Sequence, residues 1–325
     1  MPRNAESIRN SIARSVTRIT SKGALAEIAD RIRRTQIVTS ESLNRLTAVD
    51  LTFKCEHLQI TGSFKFRGAS FAVSRLPATC PGVATHSSGN HGAALAAAAA
   101  ARGFPADVVM PENAVASKIE AVRAYGGTVH FCAPTQAARE AGLQALIEQG
   151  KTAIPPYDHE HIIAGQGTVA LEFLAQAPRL DDIVAPIGGG GLLAGITLAA
   201  AQVAPQARVT GAEPAGADDA ARSLAGGERV SDHDPQTIAD GLRALIGARN
   251  FAVLYRHGID VITVSEAQIT EAMTLIWRHL KQVVEPSAAV PLAAVLARRE
   301  SFAGRRVGIV LSGGNLEVGD LLRHL

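Results

Sequence analysis

The sequence predicts an α/β protein of two lobes, each a parallel sheet flanked by helices. Three observations lead there. Short apolar segments alternate with longer helix-patterned ones along the chain. A loop-rich passage over 151–167, with Pro155, Pro156 and Asp158, divides the alternation into two series. The chain has 325 residues, 47% of them hydrophobic, which is enough apolar surface for two cores.

The elements follow in order. Val83–His86 reads as a strand and Gly92–Arg102 as a helix. Within that helix the run Ala96–Ala101 is a strong helix former, stopped by Arg102 and Gly103. Ala106–Met110 is the next strand, Ser117–Tyr125 a helix, Thr128–Cys132 a strand and Gln136–Gln149 a helix. After the return crossing over 151–167, Ile183–Ile187 reads as a strand and Leu192–Val203 as a helix. Val209–Glu213 and Asp260–Val264 are strands, Glu266–Gln282 and Ser287–Arg298 helices, and Arg306–Leu311 the last strand. A ligand is expected between the lobes, at the carboxyl ends of the strands.

Composition excludes several classes. Thirty-two Lys+Arg against 30 Asp+Glu give a formal charge of +2, which argues against a nucleic-acid partner. Aromatic residues are 4% of the chain, too few for base-stacking platforms. Cys55, Cys80 and Cys132 form no CxxC pair, so neither a disulfide framework nor a zinc site is expected, and a reducing cytoplasm fits. The most apolar stretch, Leu192–Val203, is short and broken by Gly195, Thr197 and Gln202, so no membrane span is expected. Residues 1–22 are basic, but Ile8, Ile12, Val16 and Ile19 recur at helical spacing. They are read as an amphipathic helix rather than a transit segment.

Chemistry concentrates at strand ends. Gly188, Gly189, Gly190 and Gly191 lie between a strand and a helix, where close backbone approach and free helix N–H groups suit a phosphate. Gly189, Gly191 and Ala194 also satisfy G-x-G-x-x-A with Glu213 at the end of the next strand, which keeps an NAD-binding Rossmann reading open. In the segment 61–68, Lys65 stands between Phe64 and Phe66, surroundings that lower an amine's pKa and suit attack on a carbonyl. Ser87, Ser88, Gly89, Asn90 and His91 open the alanine-rich helix and suit a carboxylate. Ser312 follows the last strand in Ser312-Gly313-Gly314-Asn315. Glu213, Asp218 and Asp219 are oxygen donors fit for a hard cation, or else a solvated acidic loop. Asp158-His159-Glu160-His161 has metal-ligand residue types and is read as a solvated loop.

Together these segments resemble the fold-type II pyridoxal-phosphate enzymes, in the branch of serine and threonine dehydratases and serine racemases. The matching segments are TGSFKFRGA at 61–69, SSGNHG at 87–92, AGQGT at 164–168, GGGG at 188–191, GAEP–ADD at 211–219, EPSAA at 285–289 and SGGN at 312–315. They occur in the family's order, and the nucleotide reading explains only one of them. The resemblance implies a two-lobed tryptophan-synthase-β-like fold. Its large cofactor-binding domain would comprise 1–68 and 151–325, and its small substrate-binding domain 69–150. It implies that Lys65 is the Schiff-base lysine and catalytic base, with Phe64 against the cofactor ring. Gly188–Gly191 would cradle the phosphate, Asn90 the ring hydroxyl and Ser312 the ring nitrogen, with Glu285 near the ring. Ser87–His91 would hold the substrate carboxylate, with Arg139, part of a racemase-like Arg139-Glu140 pair, also at the substrate. Glu213, the Ala217 carbonyl and Asp219 match a site for Mg²⁺, Mn²⁺ or Ca²⁺.

The implied reaction is loss of the β-hydroxyl as water from a β-hydroxy amino acid such as serine or threonine, after which the enamine is hydrolysed to a 2-oxo acid and ammonia. Racemisation accompanies it if Ser88 acts as the second catalytic base on the opposite face. The alternatives are a 3-hydroxyaspartate ammonia-lyase and a dedicated amino-acid racemase. A cytoplasmic homodimer is expected. Thr35-Gln36 stands where the family has Thr-Pro.

Overall fold

The computed structural model describes residues 20–87, 89–317 and 319. Most of the segment 1–22, and Ser88, therefore lie outside the described residues.

Ten strands form two sheets. β1 (Ile37–Thr39), β2 (Asp50–Cys55), β7 (Asp182–Pro186), β8 (Arg208–Pro214), β9 (Asp260–Val264) and β10 (Arg306–Leu311) make a six-stranded sheet in the order β1-β2-β10-β7-β8-β9. β1 runs antiparallel to β2, and the other neighbours are parallel. β3 (Val83–His86), β4 (Ala106–Pro111), β5 (Thr128–Cys132) and β6 (Thr152–Ala153) make a parallel four-stranded sheet in the order β5-β4-β3-β6. A parallel sheet is covered by helices on both faces, so its strands are apolar throughout rather than alternating. β4 and β7 show this, with every residue buried.

Two cores flank the large sheet. One gathers Phe53, Leu51, Ile309, Val290 and Leu292, the other Phe173, Ile183, Leu193 and Ile196. A third fills the small lobe around Leu95, Met110 and Ile162. The alanine-rich helix Asn90–Ala100 is buried from His91 to Ala99, so its small side chains are what let sheet and helices close on it from both sides.

The passage 151–167 is not a simple return loop. It contains β6 and the start of Glu160–Gln176, a 17-residue helix. The prolines at 155 and 156 lie upstream of its N-cap, His159, whose Nδ1 accepts from the His161 N–H at 3.2 Å. Asp158 is not free in solvent either: its carboxylate accepts from the N–H groups of Ala248 and Arg249 at 3.1 and 2.9 Å. The sequence reading also omitted β1, β2 and the helix Lys65–Ser74.

Helix Glu160–Gln176 is the hinge pin of the site. A Cβ on Gly165 would lie 2.7 Å from the Cα of Gly68 in helix Lys65–Ser74. A Cβ on Gly167 would lie 2.6 Å from the carbonyl oxygen of Gly195 in helix Gly191–Val203. The glycines of AGQGT thus bring the helices that begin at Lys65 and at Gly191 against one central helix. A buried ionic cluster locks the first contact. Arg67 donates to both oxygens of Glu56 at 2.7 and 2.8 Å and to both of Glu172 at 2.7 and 3.1 Å. Lys54 donates to Glu172 and Gln176, each at 2.8 Å, and to the Thr35 carbonyl at 2.7 Å. Thr35 Oγ1 completes it on Glu56 at 2.5 Å.

Candidate active site

The carboxyl ends of β2, β7, β8 and β10 of the large sheet and of β3 and β6 of the small one carry the motif segments. Because β2 and β10 are neighbours, the loops that leave them are zipped together. The Phe64 N–H donates to the Ser312 carbonyl at 3.0 Å, and the Gly314 N–H to the Gly62 carbonyl at 3.0 Å. This sets Lys65 beside Ser312. Lys65 Nζ donates to the Pro156 carbonyl at 2.8 Å and stands 5.2 Å from the Phe64 ring centre and 5.9 Å from that of Tyr157. Burial in this apolar slot lowers its pKa to about 8, with Glu285 opposing the shift. At that value a useful fraction is a free amine near neutral pH.

The glycine loop closes the other side. The N–H groups of Gly188, Gly189 and Gly190 donate to nothing among the described residues, and those of Gly191, Leu192 and Leu193 precede the first intrahelical bond, Ala194 N–H to the Gly190 carbonyl. Gly190 takes a left-handed φ of 87°, and a Cβ there would lie 2.8 Å from that of Asn250. Asn250 Nδ2 and the Gly247 N–H both donate to the Gly189 carbonyl, at 2.6 and 3.1 Å. The loop is thus held with its donors unspent, which fits an anion such as a phosphate.

A chain of side chains leads from the loop before Lys65 to Glu285, beginning where Asn315 Nδ2 donates to the Thr61 carbonyl at 2.9 Å. Asn315 Nδ2 donates to Asn90 Oδ1 at 2.8 Å, and Asn90 Nδ2 donates to both oxygens of Glu285 at 2.9 and 3.1 Å. Burial, with Asp240 adding to it, raises the Glu285 carboxyl to about 7. Ser312 is 2% exposed at the end of β10. An amine, an anion cradle, an amide and a hydroxyl at one cleft fit the anchor points of a pyridoxal phosphate.

A family model described as pyridoxal-phosphate dependent enzyme matches residues 28–313. The chain belongs to that family. It is 47% identical over 299 residues to the beta-hydroxyaspartate dehydratase of Paracoccus denitrificans, covering 90% of this chain and 94% of that one. It is 46% identical to the serine racemase of Arabidopsis thaliana, covering 92% and 94%. Among solved structures, maize serine racemase superposes with a TM-score of 0.90 at 42% identity, covering 93% and 94%. The fold is that of the fold-type II pyridoxal-phosphate enzymes, and the family implies pyridoxal phosphate as cofactor.

The remaining expected residues fall as follows. Ser87 Oγ accepts from the Gly89 N–H at 3.2 Å, in the loop that opens helix Asn90–Ala100. The His91 ring is buried, with Nε2 on the Ile154 carbonyl at 3.0 Å. Burial lowers its pKa to about 3, so it is neutral. Arg139, half-buried in helix Gln136–Glu148, stands near His86 at the end of β3, whose pKa falls through burial and the Arg139 charge. Glu213 and Asp219 are both fully buried, which overturns the solvated-loop alternative for them. Burial raises both pKa values, Glu213 to about 9. Two buried acids with no Lys or Arg bonded to either fit a site for a cation. Even so, among the described residues no three His, Cys, Asp or Glu side chains converge as metal ligands. Glu213 spends both oxygens on the Ala220 and Ala221 N–H groups, at 3.1 and 2.9 Å. In that position it is no ribose ligand for the nucleotide reading.

Tyr157, Pro156, Asn250 and Asn315 had no role in the sequence reading. Asn315 stood inside a quoted motif, but nothing local marked Tyr157 or Asn250, which reach the site by the fold alone.

Proposed function

We propose that this protein is a pyridoxal-phosphate-dependent ammonia-lyase for β-hydroxy amino acids, with racemisation as a side activity. The observation that carries the reading is Lys65, a buried amine of lowered pKa near two aromatic rings, in a loop whose Phe64 N–H donates to the Ser312 carbonyl. The residues that would hold the cofactor are Lys65 by covalent linkage, Phe64 against the ring and Asn90 at its hydroxyl. Ser312 would take the ring nitrogen and the N–H groups of Gly188–Gly191 the phosphate. The chemistry supplied by the bound cofactor is an electron sink next to the substrate Cα. Released to bind substrate, the Lys65 amine takes the Cα proton. A neutral hydroxyl at Ser312, rather than a carboxylate, would give the ring nitrogen no acid partner to hold a proton there. That limits how far charge spreads and favours loss of the β-hydroxyl over transamination. The N–H groups at the start of helix Asn90–Ala100, with Ser87 and Ser88, would hold the substrate carboxylate.

A second reading is supported by Arg139. A guanidinium near the end of β3 is where the side-chain carboxylate of 3-hydroxyaspartate would find a charge partner. We further propose that Glu213, Asp219 and the Ala217 carbonyl serve a divalent cation. Asp219 accepts from the Ile246 N–H at 2.8 Å, and the adjacent Gly247 N–H holds the Gly189 carbonyl, so a cation there would brace the phosphate loop. The lobes 1–68 with 151–325 and 69–150 are taken as the cofactor and substrate domains. The working form is taken as a homodimer. No helix among the described residues is long and apolar enough to cross a membrane. Three unpaired cysteines support a cytoplasmic setting.

The test is a panel of L- and D-serine, L- and D-threonine and the 3-hydroxyaspartate isomers, scored for oxo acid, ammonia and inverted amino acid. Oxo acid and ammonia in equal amounts from at least one L-isomer are expected. Inversion without ammonia would replace the lyase reading with a racemase. Preference for 3-hydroxyaspartate that disappears in Arg139→Ala would establish the second reading.

A further inference from the structure

We infer that His233 supplies an imidazole nitrogen to the cation site after β8, so that the site favours a first-row transition cation such as Mn²⁺ over Mg²⁺ or Ca²⁺. The inference rests on the proposed cation site and adds a ligand that its motif does not contain. His233 reaches Asp219 because the segment that carries it is strapped back across the loop. The Gln236 N–H donates to the Gly216 carbonyl at 2.8 Å, and the Gln236 carbonyl lies so close over Gly216 that any Cβ there would collide. Val230 N–H donates to Ser223 Oγ at 2.9 Å, and Ser223 Oγ to the Asp219 carbonyl at 2.5 Å. The His233 side chain is thereby left 4% exposed and that of Asp219 0%.

His233 Nε2 and Asp219 Oδ1 face each other at 3.6 Å, and neither has a hydrogen-bond partner among the described residues. That separation exceeds a hydrogen bond. Two buried polar atoms left facing one another without partners are costly and rare. Two donors each about 2.1 Å from one ion stand about 3.0–3.4 Å apart, close to the spacing seen here. A cation between them satisfies both, while Asp219 Oδ2 keeps its bond to the Ile246 N–H. Each Glu213 oxygen accepts one backbone N–H and keeps a further lone pair, so the remaining positions fall to Glu213, the Ala217 carbonyl and water. Hard cations take oxygen donors, whereas imidazole suits first-row transition ions, and this sets the preference.

The experiment uses the holoenzyme loaded with Mn²⁺. Pulsed EPR on the bound ion reports a directly coordinated ¹⁴N, and titration calorimetry gives affinities for Mn²⁺ and Ca²⁺. Expected is a nitrogen coupling in the wild type that vanishes in His233→Ala. Mn²⁺ binding should weaken by about tenfold or more in that variant while Ca²⁺ binding changes little. His233→Gln serves if the alanine variant does not fold, and absence of the coupling in the wild type alone is decisive. Mn²⁺ that binds through Asp219 with no nitrogen coupling would overturn the role of His233 and leave the cation site standing. Failure of the wild type to bind any of Mn²⁺, Mg²⁺ or Ca²⁺ would overturn both.

Discussion

At the scale of single residues, Lys65 and Glu285 carry opposite shifts from one cause. Both lose water on burial, which penalises the ammonium of one and the carboxylate of the other. Lys65→Ala should yield protein that borohydride cannot fix to pyridoxal phosphate, with turnover at background. A reduced adduct on another lysine would move the assignment elsewhere. For Glu285 the sign is set by its raised folded value. Between its ordinary 4.5 and about 7, the folded state binds the proton more tightly than the unfolded chain does. Its contribution is therefore fully present at low pH and is lost as pH rises through about 7. Thermal melts of cofactor-free wild type and Glu285→Gln should diverge across that window and run parallel above it. Parallel melts throughout would mean that Asn90, donating to both oxygens, keeps the carboxylate ionised.

At the scale of elements, the site depends on how closely three helices approach. Gly165→Ala would push a methyl onto the Gly68 backbone and should cost roughly 1–3 kcal/mol. Because it separates the helix that begins at Lys65 from its support, cofactor affinity should fall as well as the melting temperature. The ionic cluster around Arg67 is the other constraint. Arg67→Met would leave Glu56 and Glu172 buried with Lys54 as the remaining cation among their bonded partners, and should cost roughly 3–5 kcal/mol in urea denaturation. A loss under 1 kcal/mol would mean that water replaces the guanidinium.

For the whole molecule, several contacts join the lobes at the site. Asn90 reaches Glu285, Tyr125 Oη donates to the Ile60 carbonyl at 2.8 Å, and Lys118 pairs with Asp240. The Lys118 and Asp240 side chains are 17% and 39% exposed, so the pair adds at most about 1 kcal/mol to stability. Both of its charges act on Glu285, so the pair bears on the site more than on stability. Lys118→Ala should leave the melting temperature within a few degrees and raise KM several-fold, with kcat less affected. An unchanged KM would assign closure to the remaining contacts.

The sequence by itself determined the α/β class, the four strands Val83–His86, Thr128–Cys132, Asp260–Val264 and Arg306–Leu311 to the residue, and the motif segments. These are local signals: apolar runs that end at glycine-rich turns, and residue types that chemistry demands side by side. β1, β2 and the helix at Lys65 carry weaker patterns, and β2 is placed by pairing with β10 between residues more than 200 positions apart. Only the tertiary structure decided that Tyr157 and Asn250 flank the glycine loop, that His233 faces Asp219, and that Glu213 turns toward a helix start. It did so because such neighbours are set by which strands adjoin and how closely glycines let helices approach, and neither is written in any one segment.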